Sequence, residues 1–396
     1  MMTKLPLLAV LIGATAVQAT DADTIYLGGT ILTVDDKAPT AEAVAVKNGK
    51  IVAVGSRKAV HAAEHGAKTV IVDLKGRTLI PAFFDAHGHF SMVGLQASTA
   101  NLLPPPDGPG ANIAAIQQTM RDFIATSPMV KQYGIAIGFD YDDSQLAEHR
   151  APTRQELDAV STDIPIMLTH QSGHLGAYNS KALAMAGITA ETPNPSGGVI
   201  QREADGKTPN GVLEENAHIG AAMKLLPKFT AADGMKFVAA AQQVYASNGY
   251  ATVQEGRADP TTLALLEGAS KAKQLSLDVI AYPDMVMNKD NPMLHGPLMS
   301  RTYADHFRLG GVKLTFDGSP QGKTAWFTVP YYVVPEGQKP DYAGYPSFPD
   351  PKDAAGLVEK AFRNNWQLLV HTNGDAAIDA LITDVRAAEK AVPGHD

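Results

Sequence analysis

Residues Thr78 to Phe90 read TLIPAFFDAHGHF, an apolar run that ends in Asp85 and is followed by the triplet His87-Gly88-His89. With 12 histidines in 396 residues, chance alone yields roughly 0.4 His-x-His pairs in such a chain, so the triplet needs its context to carry meaning. TLIPAFF has the composition of a buried strand. Side chains alternate along a strand, so Asp85, His87 and His89 share one face if the strand continues that far, at its C-terminal end. Neutral imidazoles in that position suit zinc or a similar divalent ion. The competing reading has one histidine capping a turn and the other solvated.

Working outward, the segment before this stretch is short and β-like. AVAVKNGKIVAV, from Ala43, consists of two alternating runs around Asn48-Gly49, a dipeptide that supplies the positive φ angles of a type I′ hairpin turn. Residues 20–78 are therefore expected to form a small β-module. After Thr78 strands alternate with helices. Strands are read at YATVQ (from Tyr250), LSLDVIAY (Leu275), GGVKLTF (Gly310) and WQLLVH (Trp366), with helical patterns between them. That rhythm implies parallel strands with helices packed outside.

Residues 92–228 break the rhythm and are read as an insertion over the mouth of the first strand, where substrate walls and lids are built. This span has an amphipathic helix with Ile113, Ile116, Met120 and Phe123 on one side. A capped helix start lies at Thr153 with Glu156 three residues on, and Asn179 is placed to cap another helix.

Two further strand tips carry chemistry. In GGVKLTFDGS, Val312, Leu314 and Phe316 alternate with Lys313, Thr315 and Asp317. A lysine in mid-strand is expensive to desolvate unless its charge is lost or matched. Three readings compete: an ion pair with Asp317 or Asp85, a base of depressed pKa, or an anionic carbamate bridging two metals. Residue chemistry alone favours the ion pair. In WQLLVHTNGDAAI, His371 ends a buried strand and repeats the opening arrangement, while Asp375 suits a helix cap. His174 and Asp317 are candidate substrate contacts, and Glu214 and Glu215 are weaker ones.

Composition excludes some partners. A formal net charge of -8 argues against nucleic acid or an anionic membrane and for a small-molecule substrate or a metal ion. The absence of cysteine leaves nitrogen and oxygen as the ligands for any metal. Lys4, the apolar LPLLAVLIGATAV and the small residues to Ala19 read as a signal peptide over residues 1–19. A periplasmic or secreted protein, without stable membrane association after cleavage, is the expectation. Oligomeric state is not legible.

In order along the chain, AEAVAVKNGKIVAVG, DLKGRTLIPAFFDAHGHF, QSGHLGAYNSKAL, GVLEENA, GVKLTFDGS and LLVHTNGDAAI resemble the amidohydrolase superfamily, specifically its amidohydrolase 3 branch with N-substituted formamide deformylase-like enzymes. The resemblance implies an α/β fold, a metal-dependent (β/α)8 TIM barrel beside a small β-sandwich, with residues 79–396 supplying the barrel part. It implies that His87, His89, Lys313 and His371 hold one or two divalent ions, Zn2+ or another, and it favours the metal-bridging reading of Lys313. The implied activity is hydrolysis of an amide or formamide-like C–N bond by a metal-activated water. Ala82 departs mildly from the family's usual glycine. More seriously, about five barrel strands are countable, and the histidine of the sixth strand and the general-base aspartate of the eighth have no counterpart before Asp396. The expectation is a C-terminally truncated, incomplete barrel. The alternatives are a metal-dependent esterase, a catalytically inactive remnant, or a periplasmic binding protein.

Overall fold

This computed structural model describes residues 21–195, 198–320, 323–334 and 338–394; the leader expected over residues 1–19 lies outside them. The chain divides into two compact units, Met1–Phe83 and Phe84–Asp396. In the first, strands β1 (Thr24–Leu32), β2 (Thr40–Lys47) and β3 (Lys50–Gly55), helix α1 (Arg57–Glu64) and strand β4 (Val70–Asp73) form one sheet of order β3-β2-β1-β4 with α1 beside it. The β2–β3 hairpin turns at Asn48 (φ 49°) and Gly49 (φ 71°), as the dipeptide predicts. Ile25, Leu27, Ala43, Ala45 and Val60 make its core. The expected sandwich has only this one sheet among the described residues.

The second unit begins with β5 (Phe83–Phe84) and α2 (Phe90–Ala97). The expected insertion then turns out to be a layered body. Its elements are β6 (Ala100–Asn101), α3 (Ile113–Thr126), α4 (Pro128–Tyr133), β7 (Ala136–Tyr141), α5 (Arg154–Asp158), β8 (Ile166–His170), β9 (Leu175–Tyr178), α6 (Ser180–Ala186), β10 (Gly198–Arg202), β11 (Pro209–Glu215) and α7 (Asn216–Leu225). The strands form one mixed sheet, β10-β11-β9-β8-β7-β6, parallel from β6 to β8 and antiparallel from there to β10. Ile113, Ile116, Met120 and Leu157 pack with Leu168 in one cluster; Met167, Leu183, Leu213 and Ala221 belong to another. Adjacent residues Met167 and Leu168 thus feed opposite faces, as strand alternation requires.

Beyond it come α8 (Ala231–Ser247), β12 (Tyr250–Ala258), α9 (Pro260–Lys271), β13 (Asp278–Pro283), β14 (Phe307–Leu309), β15 (Val312–Thr315), α10 (Pro351–Arg363), β16 (Leu368–His371) and α11 (Asp375–Ala391). The expected βα rhythm is present here. β12, β13 and β14 are parallel neighbours, and β5 lies on the other side of β12. β15 and β16 form a separate parallel pair, linked to the end of β13 by a parallel bridge between Asp284 and Lys313. The five strands expected from the sequence are therefore split between two sheets, with the unanticipated β14 at an edge. No closed barrel occurs among the described residues. No helix of the described residues is long and apolar enough to cross a membrane.

Asn179 shows how polar satisfaction holds the insertion together. It is fully buried, and its Oδ1 accepts from the amides of Ile166 (3.0 Å) and Ala182 (2.9 Å), while Nδ2 donates to the carbonyls of Ser161 and Ile164. The expected helix cap is thus also a bridge between β8, α6 and the α5–β8 loop. Truncation orphans several buried backbone groups at once. Asn179→Ala is expected to lower unfolding stability by roughly 3 kcal/mol, measured by urea denaturation, with Asn179→Asp, which keeps both acceptor bonds, falling in between.

Candidate metal centre

The first strand ends at Phe84, earlier than the alternation argument assumed, so His87 and His89 do not share a strand face. The chain turns instead. The Asp85 amide still donates to the Thr252 carbonyl (2.9 Å), and its carboxylate accepts from the Gln254 amide (3.1 Å) and the Tyr245 hydroxyl (3.3 Å). Gly256 then donates to the Gly88 carbonyl at 2.7 Å, and His89 bridges antiparallel to Glu255 before α2 begins. Both glycines are there for close approach. A Cβ on Gly88 would sit 2.3 Å from an Asp85 carboxylate oxygen, and one on Gly256 would sit 2.6 Å from Cε1 of His87. The two imidazoles meet edge to face with centroids 5.4 Å apart. The turn brings together what the strand was expected to.

Glu255 is the residue that motif reading missed. It is 2% exposed and takes the amide and hydroxyl of Ser91 at 2.8 and 2.5 Å on Oε2, leaving Oε1 3.8 Å from Nδ1 of His89. The signal was present as a carboxylate within a strand, VQEG, directly before a glycine.

Lys313, on β15, is 6% exposed. The ion pair expected with Asp317 or Asp85 is absent among the described residues, because both carboxylates are otherwise engaged. Asp317 is 1% exposed and accepts three backbone amides, Trp326 (2.9 Å), Asn373 (2.9 Å) and Gly374 (2.7 Å). Its carboxylate therefore ties the β15–α10 loop to the turn after β16 and is too buried to offer an exposed face for the substrate contact expected of it. Burial lowers the Lys313 pKa, and the Arg257 guanidinium lowers it further against the weaker opposing pull of Asp284, which Arg257 itself pairs at 2.9 Å. His371 ends β16 in register with Thr315, two residues beyond Lys313. Its Nε2 lies 3.0 Å from Nδ2 of Asn373 and 3.2 Å from the Gly318 carbonyl.

These groups converge. The His87 pKa is depressed first by burial, then by the charge of Lys313 and by His89, with Asp85 opposing and His371 adding to the depression. One imidazole thus feels all three of the other expected donors. Metal ligation requires a neutral imidazole and an uncharged amine, and the pKa shifts of His87 and Lys313 both run in that direction, so the chemistry of these residues is compatible with a divalent cation. A cavity of about 970 Å³ lies elsewhere, around Gly310, Trp366 and Gln367, and includes none of the four.

A second group with ligand-type chemistry, Asp142, Asp143 and His170, lies in the insertion. Its hydrogen bonds argue against a metal. Nδ1 of His170 accepts the Ser172 amide at 3.0 Å, so the neutral ring carries its proton on Nε2, 3.0 Å from Asp143, and has no lone pair left for an ion. His174 also belongs to the insertion, in the β8–β9 turn. Its Nδ1 is 2.9 Å from Oε2 of Glu215, and the carboxylate raises its pKa against the effect of burial. Glu214 instead accepts from Gln201 at 2.6 Å. His218 is 3% exposed and bonds the Tyr178 hydroxyl at 2.6 Å; burial, then His174 and His170, bring its pKa down to about 4. Among the described residues no hydrogen bond or ion pair joins His174 to His87, His89, Lys313 or His371.

Sequence comparison fits this geometry. A model of the amidohydrolase family matches residues 70–396. The chain belongs to the amidohydrolase family. It is 32% identical over 197 residues to the N-substituted formamide deformylase of Arthrobacter pascens, a match covering 50% of this chain and 35% of that protein. It is 26% identical over 378 residues to the exoenzymes regulatory protein AepA of Pectobacterium carotovorum subsp. carotovorum, covering 94% and 78% respectively. An uncharacterized metal-dependent hydrolase from Pyrococcus horikoshii OT3 superposes with a TM-score of 0.65 at 23% identity, over 92% of this chain and 68% of that one. That likeness shows the amidohydrolase chain's fold. The chain thus spans about a third of the length of the deformylase.

Two outcomes are expected. Glu255→Gln, which keeps the size but removes the negative charge 3.8 Å from Nδ1 of His89, is expected to lower divalent-cation affinity roughly 10- to 100-fold by calorimetry. His218 is held neutral when folded and takes a proton near pH 6.5 when unfolded. The unfolded chain therefore binds more protons below pH 6.5, and stability falls as pH drops from 6.5 toward about 4. This contribution is on the order of 3 kcal/mol, and a His218→Gln variant followed by pH-dependent urea denaturation loses that part of the acid slope.

Proposed function

We propose that this amidohydrolase is a metal-dependent hydrolase of C–N bonds in small amides, with His87, His89, Lys313 and His371 as the donor set. The observation that carries the reading is the convergence of a neutral His87, a buried Lys313 without a carboxylate partner, and His371 at the tip of the adjacent strand. A divalent ion held there, zinc being the first candidate, supplies Lewis-acid polarisation of a carbonyl and of water.

The chain's own residues do the rest. Burial lowers the pKa of both His87 and Lys313, which favours the uncharged forms that do not repel a cation. Glu255, fixed by Ser91, orients His89. Asp317 fixes the Asn373–Gly374 turn beside His371. A carbamate on Lys313 would add an anionic bridge for a second ion, and the lowered lysine pKa supports the uncharged amine that such a modification needs. The likeness to a formamide deformylase supports formamide-like substrates, and the leader-like residues 4–19 support export to the periplasm or the medium.

The test uses the full chain, with elemental analysis and a panel of N-substituted formamides and acetamides. Bound divalent metal and hydrolysis that is lost on chelation and restored by zinc are expected, both disappearing in the His87→Ala, His89→Ala double variant. Full metal content in that variant removes the assignment.

A further inference from the structure

Glu215 stands out in the backbone. It ends β11, directly precedes α7, and has φ +49° and ψ −123°, a left-handed region that L side chains rarely adopt and that glycine tolerates. Residues held in such conformations persist where the surroundings over-determine them, and they cluster at functional positions. Here the surroundings are one residue. The Glu215 amide donates to the His174 carbonyl at 2.7 Å, and its carboxylate takes Nδ1 of the same histidine at 2.9 Å. A strained carboxylate is therefore held in two ways against one imidazole.

The consequence is a defined tautomer. With its Nδ1–H directed at Glu215, His174 presents Nε2 outward, and among the described residues Nε2 has no hydrogen-bond partner. The imidazole is 27% exposed, so it is neither a core histidine nor a freely solvated one. Behind it, His218 is closed off by its bond to Tyr178 and stays neutral. The pair is built to offer one polar atom in one direction.

We propose that His174, in its protonated form, is a specificity-determining residue that donates Nε2–H to an acceptor oxygen, carbonyl or carboxylate, of a small-molecule ligand, and that Glu215 is its positioning residue. The Glu215 carboxylate raises the His174 pKa against the effect of burial and so favours the charged form, whose bond to such an oxygen is stronger than a neutral donor's. This inference rests on the proposed hydrolase reading for its ligand class, amides, but its test does not depend on turnover.

The experiment is ring nitrogen NMR on the histidine-labelled full chain, titrated with acetate and, separately, with N-methylacetamide. The expected result is an Nδ1–H tautomer for neutral His174 and a saturable shift at its Nε2 with at least one probe; the arm that responds identifies carboxylate or carbonyl. Affinity falls at least tenfold in His174→Ala and in Glu215→Gly, a variant suited to the backbone angle and so expected to fold. It falls less than tenfold in Glu215→Gln, whose amide oxygen can still accept from Nδ1 although the carboxylate's charge is gone. If the wild type hydrolyses an amide, KM follows the same order with kcat little changed. No shift at His174 with either probe, or equal affinity in His174→Ala, overturns the inference. Failure of metal-dependent hydrolysis with His174 still responding would overturn the proposed function instead.

Discussion

Lys313 is buried and makes no ion pair among the described residues, and Asp284 alone opposes the loss of its proton. A charged ammonium in such a place must be matched or lost. The nearest carboxylates are committed elsewhere: Asp317 to three amides, Asp85 to an amide and a hydroxyl, Asp284 to Arg257 and to the amides of Val286 and Met287. Arg257 adds repulsion. The same uncompensated charge acts on His87 and helps to keep that imidazole neutral. Placing a cation among these groups replaces proton repulsion with ligation, which gives the arrangement a physical rationale that an ordinary core would lack.

The loops around this cluster are set by carboxylates acting on backbone. Asp317 fixes the start of the aromatic segment at Trp326 and the turn after His371, and Asp375 takes the amide and hydroxyl of Thr328 at 2.8 and 2.5 Å. The tips of β15 and β16 and the loop between β15 and α10 are thereby tied to one another. Ionised carboxylates accepting amide hydrogens are among the stronger neutral-donor bonds available to a protein, and here they replace the missing ladder at strand ends.

Legibility follows the same division. Elements with a strong period were readable: α3 with Ile113, Ile116 and Met120 buried, the Thr153–Glu156 capping box, and the strands that carry Lys313 and His371. β14 has three residues and leaves too little pattern to detect. The six-stranded sheet of the insertion mixes parallel and antiparallel neighbours, so neither the βα rhythm nor a regular hairpin rhythm announces it. HGH was readable as a pair of neighbouring imidazoles for the wrong geometric reason, since the two rings are brought together by a turn pressed against Gln254–Gly256 and not by strand alternation. Asp317 and Glu255 were the hardest. Whether a buried carboxylate faces a ligand, an imidazole or three amides depends on partners that are distant in sequence, such as Asn373 for Asp317 and Ser91 for Glu255.

The same distance dependence explains why Glu214 and Glu215 could not be told apart from GVLEEN. They are neighbours of one type, but alternation along β11 sends Glu214 to Gln201 on β10, while the chain reverses at Glu215 to start α7. Only that reversal, with its unfavourable φ, turns the second carboxylate onto His174. The chemistry of the insertion is thus set by a backbone conformation that residue identity opposes. A sequence optimised only for folding would place glycine there, and glycine would leave the imidazole with no partner to fix its tautomer.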